Sequence, residues 1–470
     1  MRLNKSFLVL TILITFLLPQ TVHAYKPTPK EKTFLSQVQQ DTFKYFIDFT
    51  NKKTGLVKDS SRVSSPASIA STGFGLIAWA LAKENGWASY DESYTVLLKM
   101  MLFLRDKAEH ENGFFYHMIS TRSGKRVWSS EASSIDTALL IAGALYAGDV
   151  FKGTEIQQIA GELYDRVDWD WMTNNSDLIC HGWKPETGFL PYYWDMYSEH
   201  LILQALALGS KTHPVKKSVW NGWERLEDSY QEKQIVFAHS GSMFTYQFSH
   251  AYIDFRNLWD QDINYFENSV KATLINQQYC LNNKDAFPSY SEVNWGLSAC
   301  LGPRGYKAYG SVPGRGLHDG TIAVHAAAGS MPFAPEMTIK TLQNFYDQHK
   351  ETLYTKYGFK DSFNLEVSWW ADEHLGIDQG ITLLMIENFL RGTIWNRFMK
   401  MDFVKKWIKV CELSSEKNIL KKVTAVPAKK VQQEKLIKQL NQTIQLKLDK
   451  PKTLSPAPQT PQIKLLEKME

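Results

Sequence analysis

Eleven stretches of this chain repeat apolar residues at helical spacing, one after another: Phe34 to Phe49, Ile69 to Lys83, Tyr94 to Arg105, Ile135 to Phe151, Ile156 to Val167, Tyr197 to Leu208, Phe244 to Leu258, Ile263 to Tyr279, Ile322 to Gly329, Thr338 to His349 and Gln379 to Phe398. Sustained period-two alternation is nearly absent, with one short ribbon expected near Phe114 to Arg126. So many apolar helix faces must be buried against other helices, which restricts the chain to an all-α class. Consecutive helical hairpins over residues 25 to 400 fit two concentric rings closing into an (α/α)6 toroidal barrel. Its long aromatic and Gly-rich loops, such as Trp169 to Trp194 and Cys300 to Asp319, would gather at one mouth. No short repeat marks a common solenoid.

The two ends differ from this body. Arg2 and Lys5, the apolar run Phe7 to Leu18 and the small-residue site Val22-His23-Ala24 read as a signal peptide over residues 1–24, so a periplasmic or secreted protein is expected. Lys and Arg number 36 against 42 Asp and Glu in residues 25–400, but 15 against 7 in residues 401–470, giving −6 and +8. The positive excess therefore sits in a Lys/Gln/Pro-rich tail, expected to be disordered or loosely helical. It is no argument for nucleic-acid binding by the body; contact with an anionic envelope surface is the partner it suggests. Cys180, Cys280, Cys300 and Cys411 show no C-x-x-C or zinc-like spacing, and a Cys280–Cys300 bridge and free buried thiols both remain open.

Common catalytic signatures are missing. Ser240-Gly241-Ser242-Met243 is not a nucleophile elbow, no H-E-x-x-H pair occurs, and the glycines from Gly302 to Gly316 lack a Walker lysine. No metal or other cofactor is expected. What stands out is acidic residues among aromatics at helix starts and loop ends. Glycosidic cleavage needs two such groups, one protonated for the leaving oxygen and one ionised, and nearby rings both stack on sugars and raise an acid's pKa.

Glu199 leads, in Tyr192-Tyr193-Trp194-Asp195-Met196-Tyr197-Ser198-Glu199, where Asp195 and Glu199 would share one side of a helix. Glu131 and Asp136 flank the start of the next candidate helix, where Ser133 and Asp136 also match a capping box. Asp378 in Gly376-Ile377-Asp378-Gln379-Gly380 reads as an N-cap, following the acid-and-indole cluster Trp369 to His374. Asp319 either caps a turn or touches substrate. Tyr193, Trp194, Trp295 and Trp370 are the rings expected to bind sugar. Glu387, inside an apolar helix, calls for a partner such as an Arg, and His250, Asp254 and Arg256 suggest a buried ion network.

Several segments resemble the glucoamylase-like family: Thr72-Gly73-Phe74-Gly75-Leu76, Ile135-Asp136-Thr137-Ala138, Tyr197-Ser198-Glu199 with Ala205 to Ser210, Ser249 to Arg256, Asn294-Trp295-Gly296-Leu297, Asp319-Gly320-Thr321, Tyr357-Gly358-Phe359 and Gly376 to Gly380 with Ile386-Glu387-Asn388. The likeness runs in order from about Phe34 to Met399. Within that family it is similar to glycoside hydrolase family 144, and the resemblance implies an inverting endo-β-1,2-glucanase on an (α/α)6 barrel. It also implies Glu199 as the acid, Asp136 as a second essential acidic residue and Asp378 as a third candidate. Ser198 departs from the family pattern, in which an acidic residue often holds that position. An exo-acting glycosidase and a non-catalytic glucan-binding envelope protein are the alternatives, and a monomer is expected.

Overall fold

The computed structural model describes residues 25–416. These are predominantly helical, with α1 (Pro29–Asp48), α2 (Ile69–Glu84), α3 (Tyr90–Asp106), α4 (Ser134–Val150), α5 (Glu155–Arg166), α6 (Leu201–Gly209), α7 (Lys217–Gly222), α8 (Tyr265–Asn282), α9 (Val324–Ala328), α10 (Pro335–Leu353), α11 (Gly376–Leu390), α12 (Thr393–Phe398) and α13 (Asp402–Val410). The signal peptide and most of the tail lie outside the described residues.

Two kinds of helix appear, and their sequences explain the division. α2, α4, α6, α9 and α11 are apolar around nearly their whole circumference and are buried almost throughout. α1, α3, α5 and α10 carry one apolar stripe and one charged face, and cover the first group. α2 lies against α4, α4 against α6, and α11 against both α1 and α2, so the last long helix returns to the first hairpin. The α2–α4 crossing is close because both partners lack a side chain there. A Cβ on Gly143 would sit 2.2 Å from the carbonyl oxygen of Gly73.

Short antiparallel ribbons fix the loops that lead into the buried helices. Ala67–Ser68 pairs with Met118–Ile119 before α2, Ala132–Ser133 with Gly182–Trp183 before α4, and Ile322–Ala323 with Ser362–Phe363 before α9. Side-chain caps then start two of the helices: Ser68 accepts from the Ser71 amide and Ser133 from the Asp136 amide. Glu387 is fully buried in α11 and satisfied by Arg391 at 2.7 Å, Thr393 at 2.6 Å, Gln39 at 3.1 Å and Asn85 at 3.2 Å. This is the partner set a buried charge requires.

Four readings from sequence are corrected. The stretch Phe244 to Leu258 is not an α-helix but two 3-10 turns, Met243–Tyr246 and Ser249–Ala251. Its hydroxyls compete with helical bonding: Thr245 donates to the Ser242 carbonyl and Ser249 to the carbonyl of Glu199. His250 consequently meets Ser269 rather than Asp254, which pairs with Arg256. The Gln379 to Phe398 helix is broken at Gly392, whose φ of 64° ends α11. The folded body also passes Lys400. Phe403, Val404 and Trp407 of α13 are buried against α6 and Trp220, and Ser414 exchanges both backbone hydrogen bonds with Trp259. A short apolar stripe in a Lys-rich stretch is easily read as tail. Of the two readings left open for the cysteines, the structure has the free buried thiols: all four are free and buried.

Candidate active site

The N-terminal ends of α2, α4, α6 and α11 converge on a cleft of about 1270 Å³, lined by Ala70 of α2, Ile135, Asp136 and Leu139 of α4, Ser198 and Glu199 before α6, Phe244 and Thr245, and Ile377 and Asp378 of α11. That volume exceeds the roughly 300–1000 Å³ of a small-molecule pocket and suits several linked sugar rings. Helix N-termini carry partial positive charge, which favours carboxylates at this end.

Glu199 is held where burial acts strongly on its charge. α6 begins only at Leu201, so Glu199 occupies the turn before the helix, with its carbonyl fixed by Ser249. Its side chain is 8% exposed, and burial together with the nearby negative charge of Asp136 pushes its pKa up. The Ser198 hydroxyl donates to Glu199 Oε2 and opposes that shift. Asp195 is exposed on the cleft wall and shares no helix with Glu199, contrary to the spacing argument.

On the neighbouring wall, His117 lies 3.4 Å from Glu131 Oε1 and 3.9 Å from Asp136 Oδ1. The charge of Asp136, with help from Glu131, overcomes burial and raises the imidazole to about 9. The same hydrogen bond lowers Glu131 to about 2. A cationic imidazole therefore stands between two carboxylates. Asp59, beside them, is raised to about 6 by burial.

Asp378 sits within the first turn of α11, since Leu375 and not Asp378 is the N-cap. It is 3% exposed and its Oδ1 lies 3.3 Å from His325 Nδ1, while its buried Oδ2 has no hydrogen-bond partner in the protein. Asp361, fully buried beside it, accepts the Leu301 amide at 2.7 Å. Burial raises Asp361 to about 6, and burial plus the charge of Asp361 raises Asp378 well above the carboxylate range. Two carboxyls this close share a proton. His325, pushed down to about 3 by burial, is neutral.

By residue type and spacing, His117, Glu131 and Asp136, or His325, Asp361 and Asp378, could hold a metal ion, their ligand atoms lying within 4.8 Å of one another. In the first group the imidazole would have to lose its proton first.

The aromatic candidates divide. Tyr193 and Trp194 line the cleft, with Trp194 stacked 4.0 Å from His181 and its indole N–H on Ser134. Trp295 does not reach it: it is fully buried in the core and bonds Thr341. Trp370 borders a separate cavity beside Tyr346 to Thr352. Asp319 braces its own loop, accepting from Tyr309 at 2.9 Å and Thr321 at 2.6 Å. Sequence reasoning missed Asp59, His117, Trp128, His181, Tyr306 and Asp361. They come from separate loops and strands, and neither spacing nor periodicity marks them.

A predominantly helical protein whose buried helix ends meet in a carboxylate cleft rimmed by aromatic rings is the class this geometry defines. Residues 191–402 match the family model Glycoamylase, described as "Putative glucoamylase". A solved structure of the same description from Bacteroides uniformis ATCC 8492 is 30% identical, with TM-score 0.78 over 83% of this chain and 99% of that one. An endo-β-1,2-glucanase from Chitinophaga pinensis, solved with sophorotriose and glucose, is 26% identical, with TM-score 0.77 over 82% and 98%. An exo β-1,2-glucooligosaccharide sophorohydrolase (non-reducing end) of Parabacteroides distasonis is 29% identical over 83% of this chain, which spans 59% of that relative's length. The chain belongs to the glucoamylase-like family.

Proposed function

We propose that this chain is a glycoside hydrolase of family 144 type that cleaves β-1,2-linked glucan by inversion. The observation that carries the reading is Glu199, a buried carboxyl on the cleft wall whose surroundings favour its protonated form. In the proposed reaction Glu199 gives its proton to the glycosidic oxygen while a water attacks the sugar carbon from the opposite face. The Asp361–Asp378 pair, which holds one proton between its two carboxyls and meets the cleft through Asp378, takes the water's proton. Asp136 and Glu131 keep His117 cationic, so this wall offers both donors and acceptors to sugar hydroxyls. Inversion requires the working pair to stand roughly 6.5–9.5 Å apart.

The fold proposed to carry this is the (α/α)6 toroid, with α2, α4, α6, the two 3-10 turns, α9 and α11 as the inner ring. The return of α11 onto α2 supports closure. The protein is proposed to act as a monomer after export, its basic tail touching anionic envelope surfaces. Removing residues 417–470 should then abolish salt-sensitive binding to anionic vesicles and leave hydrolysis intact; unchanged binding refutes the contact.

Endo action is the first reading. Exo release of a disaccharide is the second, favoured by the hairpin Ala299–Gly302/Gly305–Ala308, whose Tyr306 is among the residues lining the cleft. Product analysis on linear β-1,2-glucan, beside differently linked glucans and the Glu199→Gln variant, tests both. Early mixed oligosaccharides from the β-1,2 polymer alone mean endo cleavage, and a single disaccharide means exo. No cleavage of any glucan, with binding retained, refutes the hydrolase and leaves a glucan-binding protein.

A further inference from the structure

Trp128 is the most conspicuous side chain on the cleft that the proposed chemistry does not use. It is 71% exposed, lines the same cavity as Glu131 and Asp136, and has no ring contact among the described residues. A large indole left bare beside a polar cleft is an unusual placement, since apolar rings ordinarily find a packing partner. The backbone is arranged to keep it there. Trp128 and Ser129 are consecutive residues with φ of 57° and 51°, a conformation that residues other than glycine seldom adopt.

Both ends of this two-residue tip are tied. The Val127 amide donates to the Met118 carbonyl at 3.0 Å and the Ser130 amide to the Val127 carbonyl at 3.2 Å. The Ser130 hydroxyl bridges to the backbone of Met118, donating at 3.0 Å and accepting at 3.2 Å. The Arg126 guanidinium reaches the Ser130 carbonyl and forms a two-pronged pair with Glu186, at 2.5 and 3.0 Å. The turn is therefore over-determined by its neighbours, the condition under which such strain persists at ligand sites. Tyr192 and Tyr306, 64% and 53% exposed, are further exposed rings on the same cleft.

We propose that Trp128 is the platform of a glucosyl subsite outside the cleavage point, its indole stacking under the apolar C–H face of one pyranose ring of the glucan. This rests on the glucan reading. The buried carboxyls Glu199 and Asp378 are the groups placed for the cleaved bond, whereas Trp128 is at the open surface and meets a ring farther along the chain. Glu131 and cationic His117 beside it supply polar partners for the ring's hydroxyl edge. The subsite sets chain-length preference, not bond chemistry.

The test uses Trp128→Ala and Trp128→Gly with linear β-1,2-glucooligosaccharides from the trisaccharide upward, and calorimetric binding in the Glu199→Gln background. Trp128→Gly removes the ring while suiting the left-handed backbone, so it folds at least as stably as the parent. Both variants should raise KM for the longer oligosaccharides up to about tenfold, the value of one aromatic contact, and leave kcat within about twofold. The shortest cleaved substrate should be unaffected, and binding of long chains should weaken in parallel. Equal KM at every length, or a loss that falls mainly on kcat, overturns the subsite. A parent enzyme that neither cleaves nor binds any β-1,2-glucan overturns the underlying reading instead, and the two failures are distinct.

Discussion

Replacing Ser198 with alanine removes the hydroxyl that donates to Glu199 Oε2 and leaves the buried carboxyl without that bond. A hydrogen bond to a charged group contributes about 1.5–3 kcal/mol net, and one pKa unit corresponds to about 1.4 kcal/mol, so the change is worth roughly one to two units. Its sign follows from which form the bond favours. Ser198 stabilises the ionised carboxylate, and losing it raises a pKa that burial and Asp136 already hold up. If protonated Glu199 is the acid, the alkaline limb of the kcat/KM profile reports its ionisation and should move to higher pH by about one to two units. The activity at the optimum should fall by less than about tenfold, because the acid is weakened but still present. The assay is reducing-sugar release from linear β-1,2-glucan across pH, with melting temperatures to confirm that the variant folds. An alkaline limb that stays in place, or moves down, would mean that Glu199 is not the titrating acid.

Four further outcomes are expected. Glu199→Gln should lower kcat by roughly 10²- to 10⁴-fold while glucan binding by calorimetry persists; retained turnover refutes the acid assignment. Asp136→Asn removes the largest cause of the raised His117 pKa, so imidazole titration by NMR should move down from about 9, and no movement would show that the ion pair is not formed. Asp361 is raised above its unfolded value to about 6, so the stability it contributes is complete below about pH 4 and is lost as pH rises through about 6. Asp361→Asn should therefore shrink the difference in urea midpoint between pH 4 and pH 7, and an unchanged difference sinks the coupling. Gly143→Ala forces its methyl within 2.2 Å of the Gly73 carbonyl and should destabilise by roughly 1–3 kcal/mol or more, whereas Gly161→Ala on α5, with nothing within 4 Å, should gain roughly 0.5–1 kcal/mol in the same urea titrations.

Much of the helical frame was legible because burial on all sides leaves a plain mark. α2, α4 and α11 are apolar around their circumference, and their spans agree with the periodicity to within a few residues, apart from the break at Gly392. The cap at Ser133 and the need of Glu387 for partners were also readable, since each depends on residue type and immediate surroundings. The stretch from Phe244 to Leu258 was not, because Ser249 spends its hydroxyl on the remote Glu199 carbonyl and Ser242, just before the stretch, on that of Tyr309, contacts that no local pattern reveals. Trp295 and Trp370 show the same limit for aromatics, as a tryptophan looks identical in sequence whether it fills a core or faces a cleft.

By itself the sequence determined the helical class and most helix positions, and the acidic residues Glu131, Asp136, Glu199 and Asp378 as candidates that do line the cleft. Only the tertiary structure decided their proton affinities and company: Asp361 against Asp378, His117 between Glu131 and Asp136, Ser198 on Glu199, and Trp128 bare at the rim. Periodicity records whether a face is wet or dry. The charge a carboxyl carries depends instead on burial and on neighbours brought from remote segments, an energy that exists only once the chain has folded.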